Sequence, residues 1–179
     1  VITIDDIVFK IGPRINAAGR MEVDSDDENA APSGGHSAVY LMVARDEEVA
    51  SEYGAFIDTC NQDRKNIDRS ITQEAHEIIE SRPELKNRKS TVIYNPKWMK
   101  GIVGIVASRL IETYYRPTVV LTMSNGYVTG SARSVPGFDL YQAVESCADL
   151  LENFGGHIYA AGLTMRPENV EEFTRRFNA

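Results

Sequence analysis

The stretch from residue 47 to 81 constrains the chain most. Apolar residues recur there at Val49, Tyr53, Phe56, Ile57, Cys60, Ile67, Ile71, Ala75, Ile78 and Ile79, in steps of three and four that trace one helix face. Such a helix would be about 50 Å long at its usual rise per residue. Asp46 is placed to cap it, with acids in the first turn, and Pro83 is placed to end it. Between Asn61 and Arg69 the stripe thins to Ile67 alone. A helix that loses its apolar face midway reads as one joining two domains through solvent. The pattern therefore predicts a connecting helix over 46–82, with a smaller segment before it (1–45) and a domain after it (88–179).

After Lys89 the rhythm changes. Short β-rich runs at Ser90–Tyr94, Thr118–Thr122, Tyr127–Ser131 and Tyr159–Met165 read as strands. Gly101–Tyr114, Leu140–Phe154 with Asp139 as its cap, and Pro167–Phe177 read as helices. The fold class expected is α/β, a long helix followed by a domain with a mixed sheet of four or five strands. Before the long helix, residues 1–21 are a short apolar start leading into a turn and helix start. Residues 22–36, rich in Asp, Glu, Ser, Gly, Asn and Pro, read as a mobile loop, and Ser37–Ala44 as a short helix. Asp24-Ser25-Asp26 is not a calcium loop, because the required glycine and terminal glutamate are missing.

Composition removes several classes. No run of 18 apolar residues exists, so no transmembrane helix is expected. The start at Val1 has neither a basic opening nor a cleavage site, and the chain reads as a piece of a longer protein. Cys60 and Cys147 stand far apart without ligand-spaced partners, which argues against a zinc cage or a disulfide framework and fits a reducing cytoplasm. A net charge of −7 argues against a protein that coats nucleic acid over its whole surface, and leaves room for a local basic groove.

Four segments carry chemistry. Gly155-Gly156-His157 brings bare backbone and an imidazole together, as a phosphate-contacting loop would, although such a triplet by itself is more often a tight turn with a surface histidine. Gly101-Ile102-Val103-Gly104 opens a helix after a strand, offering N–H groups to an anion, with Gly104, Ala107 and Ser108 allowing close packing. It has no Walker lysine and no third dinucleotide glycine. Strand alternation puts Ser131 and Arg133 on one face, a rotatable hydroxyl beside a rigid guanidinium fork. Arg14, Asn16 and Arg20 in Gly12–Met21 are polar groups among residues too small to form a core.

Together these segments resemble the RecJ-type exonucleases of the DHH phosphoesterase superfamily. GPRINAAGRM is similar to the element closing the metal-binding domain, and CNQDRKNIDRSITQEA to the interdomain helix. WMKGIVGIVASRLIETYYRPTVVLT, GSARSVPGFDLYQAVE and FGGHIYAAGLTM are similar to the DHH-associated C-terminal domain. The resemblance covers nearly the whole chain except the acidic loop. It implies degradation of single-stranded DNA from the 5′ end by two Mn2+ or Mg2+ ions, held by aspartates and histidines of an upstream domain that includes an Asp-His-His triplet. No such triplet occurs here, and His36, His76 and His157 do not cluster. The chain is thus expected to carry no metal and, by itself, no nuclease activity.

Carried over residue by residue, Ser131 and Arg133 would hold DNA phosphates, the terminal 5′ phosphate included. Gly155, Gly156 and the candidate catalytic residue His157 would face the scissile phosphate across an interdomain cleft, and Arg14, Asn16 and Arg20 would approach it from the other wall. Trp98, Lys100, Gly101 and Gly104 complete the expected phosphate- and DNA-contacting set. Met99 stands where the family often has His or Asn. Trp98, Tyr127 and Tyr159 are candidates to stack a base, Trp98 first. The implied partners are single-stranded DNA and DNA-repair proteins, in a cytoplasmic protein of repair and recombination. Two other readings stay open: an oligonucleotide or dinucleotide phosphodiesterase of the same superfamily, and a non-catalytic phosphate-binding docking module.

Overall fold

The computed structural model describes residues 1–21 and 34–179, so most of the loop expected at 22–36 lies outside the described residues. Its last three residues instead open a helix. The chain divides into two compact units, Val1–Ile67 and Asp68–Ala179.

In the first unit a wide-turn helix at Asp6–Ile11 runs into α1 (Gly12–Arg20), followed by α2 (Gly34–Val43) and the first half of α3 (Glu47–Glu80). Ala18, Ala38 and Ile57 form its small core, with Ile15 and Leu41 packed against them. Gly34 lets α2 meet α1 closely, because a Cβ there would lie 2.2 Å from the Ala18 carbonyl oxygen. Asp46 caps α3 as expected, its Oδ1 accepting from the N–H groups of Glu48 (2.8 Å) and Val49 (3.3 Å). Val49 and Phe56 remain exposed on α3.

The second unit holds the rest of α3, a short α4 (Pro83–Lys86), β1 (Thr91–Tyr94), α5 (Lys100–Tyr114), β2 (Thr118–Ser124), β3 (Tyr127–Arg133), α6 (Leu140–Glu145), β4 (Leu151–His157), β5 (Ala160–Met165) and α7 (Val170–Phe177). The sheet is mixed, in the order β1-β2-β3-β5-β4, with only β1 and β2 parallel. The parallel pair is joined through α5, as a crossover requires. Asn125-Gly126 turns β2 into β3 with both residues at positive φ (50° and 77°).

Alternation along the strands sorts the two faces. Val119, Leu121, Val128, Ala132, Ala161, Leu163 and Met165 pack with Leu140, Val144 and Cys147 around α6 and with Phe173 and Phe177 of α7. The opposite phase, including Val120 and Ser131, faces α5.

Two expectations need correction. The helix placed at Leu140–Phe154 ends at Glu145, and Leu151–His157 is a strand. Leu140, Val144, Cys147, Leu151 and Phe154 are spaced like a helix face, but the turn after Glu145 redirects the chain. Phe154 then pairs with Leu163 in the sheet. The middle of α3 is not simply solvated either: Asn61 and Asp68 are buried. Asp68 is wholly buried and accepts two arms of Arg109, whose Nε and Nη2 lie 2.9 and 2.8 Å from its oxygens, while Arg109 keeps 46% of its side chain in solvent. Pro83 ends α3 as expected: Arg82 before it is extended, and the proline starts α4.

Further along α3, the Tyr114 hydroxyl donates to Glu80 (3.0 Å) and lies 3.1 Å from His76 Nδ1. Burial first, then the bond to Glu80, pushes the phenol up to about 12. Arg116 donates to the carbonyls of Leu85, Lys86 and Arg88 and to the Thr91 hydroxyl, tying the linker to β1.

The Asp68–Arg109 pair is asymmetric, and its two truncations should differ. Asp68→Ala leaves a guanidinium that can reach water and is expected to cost about 2 kcal/mol. Arg109→Ala leaves a buried carboxylate and is expected to cost about 3–5 kcal/mol. Urea unfolding of the two variants checks the order.

Candidate nucleic-acid interface

The site grows from one row of paired residues. Arg133 on β3 pairs with Ala160 on β5, which pairs with His157 on β4. One row inward, Ser131 pairs with Gly162, which pairs with Gly155. Residues directly opposite in antiparallel strands point to the same face, so Arg133, His157 and Ser131 all belong to the α5 side of the sheet. On that side Gly155, His157 and Gly162 are exposed and Ala160 is half-buried. The result is a half-sheet shelf of small residues bordered by a guanidinium, a hydroxyl and an imidazole.

Gly104 sets the inner edge of this shelf. A Cβ on it would lie 3.0 Å from Arg133 Nη2 and 3.2 Å from Ser131 Oγ, so both polar tips converge against the second turn of α5. Arg133 Nη1 also donates to the Ala132 carbonyl (2.8 Å), which orients the fork. Lys100 is exposed at the start of α5, with Gly101 beside it. Met99 occupies the cap position and makes no side-chain cap bond.

The glycine pair ends a strand instead of forming a free loop. Gly156 has φ +153°, and a Cβ there would lie 2.2 Å from the Ala160 carbonyl oxygen. Gly155 has open space around its Cα. Ile158 and Tyr159 make the two-residue turn into β5. That turn is tied to the β3–α6 loop by Ser134 N–H donating to the Tyr159 carbonyl (3.0 Å) and Leu140 N–H to the Ile158 carbonyl (3.1 Å). The loop is itself fixed by a turn at Val135–Phe138 with Gly137 at φ +89° and by the Ser134 hydroxyl donating to the Phe138 carbonyl (2.9 Å). His157 Nδ1 accepts from the Tyr159 N–H at 3.2 Å. In the neutral ring the remaining proton is then on Nε2, a donor directed away from that bond.

The structure brings Ser131, Arg133, Gly104, Gly155, Gly156 and His157 to one sheet end. A concavity of about 400 Å³ beside His157 is lined by Asp139, Tyr141, Gln142, Glu145, Gly156 and Ile158, without Arg133, so sheet register, not this hollow, relates the two. Arg14, Asn16 and Arg20 lie on α1 in the first unit. Arg14 pairs with Asp58 and donates to the Lys10 carbonyl (2.8 Å), beside a hollow of about 440 Å³ that Lys65 and Gln62 also line. Asn16 and Arg20 are exposed on another side of that helix.

Trp98 is a correction. It is 4% exposed, and its Nε1 donates to Glu74 at 2.8 Å, so it offers no face to a base. Glu74, which sequence reasoning passed over, also accepts from Asn95 Nδ2 at 2.7 Å. This carboxylate on α3 thereby holds the loop that launches α5. Its only sequence signal is an acid in a helix whose other apolar-face neighbours are Ile71, Ala75 and Ile78.

A mixed five-stranded sheet, helix-backed on one face and half bare on the other, defines an α/β domain. The chain belongs to the DHHA1 domain family, which matches residues 87–179. It is 37% identical over 176 residues to the single-stranded-DNA-specific exonuclease RecJ of Bacillus subtilis (strain 168), covering 97% of this chain and 21% of that protein. It is 32% identical over 186 residues to RecJ of Escherichia coli (strain K12), covering 98% of this chain and 30% of that protein. The crystal structure of RecJ from Thermus thermophilus in complex with Mn2+ superposes with a TM-score of 0.80 at 28% identity, covering 97% of this chain and 24% of that one. Its Mg2+ complex gives a TM-score of 0.79 at 27% identity and covers 97% of this chain and 25% of that one. The chain thus spans about a fifth to a third of the length of these relatives. Among the described residues no group of three or more His, Cys, Asp or Glu side chains could hold a metal ion, and no helix is long and apolar enough to cross a membrane. Among the described residues the donors present do not fit the Mn2+ or Mg2+ of those relatives.

The two glycines should respond differently to a methyl group. Gly156→Ala is expected to cost about 2–3 kcal/mol and to expose the His157 and Ala160 amides to hydrogen exchange. Gly155→Ala is expected to stay within about 0.5 kcal/mol of wild type.

Proposed function

We propose that this chain is the single-stranded-DNA-binding part of a 5′→3′ single-strand-specific exonuclease, with metal-dependent hydrolysis carried out by a domain outside it. In this reading residues 1–45 belong to the end of the metal domain, 46–82 to the connecting helix and 88–179 to the DNA-binding domain. The observation that carries it is the convergence of Ser131, Arg133 and Gly104 on a bare sheet face that also bears His157. Similarity to RecJ over 97% of the chain, the α1 and α3 segments included, favours this over a dinucleotide phosphodiesterase or a docking module.

The chemistry follows from the donors. A phosphate oxygen accepts from Ser131 Oγ and from the Arg133 fork, a charge-assisted pairing stronger than a neutral one. Ala160, Gly162 and Gly155 let the sugar-phosphate backbone come close without displacing side chains. His157 donates from Nε2 to a non-bridging oxygen and is the candidate catalytic residue. Lys100, Gly101 and the positive end of α5 add attraction at its edge. Arg14, Asn16 and Arg20 are further candidate contacts on α1. Contacts of this kind read backbone, not sequence, and weaken with salt. Repair proteins are the expected partners, in the cytoplasm.

The test is titration of a 5′-phosphorylated oligodeoxynucleotide into this chain at several salt concentrations, with a 5′-hydroxyl strand as control. The phosphorylated strand should bind more tightly, and Arg133→Ala should weaken it about tenfold or more with a shallower salt slope. Gly104→Ala, whose methyl group would press on Arg133 and Ser131, should also weaken binding while changing stability by less than about 1 kcal/mol. Equal binding by wild type and Arg133→Ala would refute the phosphate assignment. Digestion of the strand by this chain alone in Mn2+ would refute the assignment of hydrolysis to a domain outside it.

A further inference from the structure

The turn that closes the β4–β5 hairpin carries side chains that the phosphate contacts leave unused. Tyr159 is 53% exposed. Its backbone is committed on both sides, the N–H to His157 Nδ1 and the carbonyl to the Ser134 N–H. Its Cα is therefore fixed while half of its surface stays in solvent. The His157 ring meets it near edge-on, with centroids 6.5 Å apart and planes at 72°.

Position gives this ring its meaning. Tyr159 directly precedes Ala160, the residue flanked by Arg133 on one side and His157 on the other. A planar, half-apolar surface thus stands one residue from a row of phosphate donors. A nucleotide presents the matching pair, a charged phosphate and a flat base. The other candidate aromatics fall away on geometry. Trp98 is buried, and Tyr127 sits at the opposite end of β3, six residues from Arg133, or about 20 Å along an extended strand.

We propose that Tyr159 is a base-stacking residue, on which one nucleobase of single-stranded DNA lies while its flanking phosphate is held by Ser131, Arg133 and His157. This rests on the function proposed above and adds a source of strand selectivity to it. A base inside a duplex is covered on both faces by its neighbours, so only an unstacked base can lie on this ring. Stacking tolerates any base, because each has a π-face.

The experiment is equilibrium binding of this chain to a 5′-phosphorylated oligodeoxynucleotide carrying a fluorescent adenine analogue near its 5′ end. Wild type should quench the analogue. Tyr159→Ala should abolish the quench and weaken binding about tenfold, within the range for one stacked base, whereas Tyr159→Phe and Tyr159→Trp should keep both. On a strand with an abasic site at that nucleotide, wild type and Tyr159→Ala should bind alike. The stacking role is overturned if Tyr159→Ala matches wild type on the intact strand, if its loss persists on the abasic strand, or if Phe fails to rescue it. In each of those cases a loss of binding in Arg133→Ala leaves the phosphate reading standing. Failure of wild type to bind the strand at all overturns both.

Discussion

Two backbone hydrogen bonds hold the candidate site together, Ser134 N–H to the Tyr159 carbonyl and Leu140 N–H to the Ile158 carbonyl. They join segments far apart in sequence, the loop after β3 and the turn between β4 and β5. An edge hairpin ending in two glycines would otherwise fray, since glycine carries the largest conformational entropy and contributes no packing. The bonds also close a circle. Leu140 starts α6, which Asp139 caps by accepting from the Gln142 N–H, and α6 packs beneath the same sheet that carries the hairpin. Loop, helix start and turn thus support one another, and Arg133 and His157 inherit their spacing from that frame.

The bare half of the sheet follows from side-chain size. Helix α5 covers β2 and β3, where Val120 and the approach at Gly104 reward burial. Beyond β3 the same face carries Ala160, Gly162 and Gly155, which offer a helix almost no apolar area to cover. The opposite face of β5 carries Ala161, Leu163 and Met165, all buried in the core. Strand alternation therefore builds a two-sided element here: one side contributes the core, the other leaves backbone and small residues open to a ligand.

Much of this was legible in the residues. Short β-rich runs located β1, β2, β3 and β5, alternation put Ser131 and Arg133 on one face, and the Asp46 and Asp139 caps were recognisable from their side chains. β4 was not, because its apolar residues continue the helical spacing of α6 and only the turn after Glu145 distinguishes the two. Burial of polar groups was equally hidden. Asp68 and Asn61 look solvated in a polar stretch of helix, yet Asp68 is buried because Arg109, 41 residues later, arrives to pair with it. Trp98 misled for the related reason that its indole N–H finds Glu74 across a tertiary contact. Long-range polar pairs decide such cases, and no local pattern encodes them.

Charge bears on how an acidic protein with a net charge of −7 would hold a polyanion. The hollow on the α6 side of the hairpin tip is lined by Asp139 and Glu145, while the row on the α5 side holds Arg133. His157 borders both. A phosphate at the proposed site would therefore be repelled on one side of the tip and attracted on the other, with the imidazole at the change of sign. Such a gradient would orient the proposed strand without a large basic surface, because at physiological salt fields decay within about 8 Å and only nearby charges count. Local arrangement of a few groups, more than the charge of the whole chain, sets where an anion can rest.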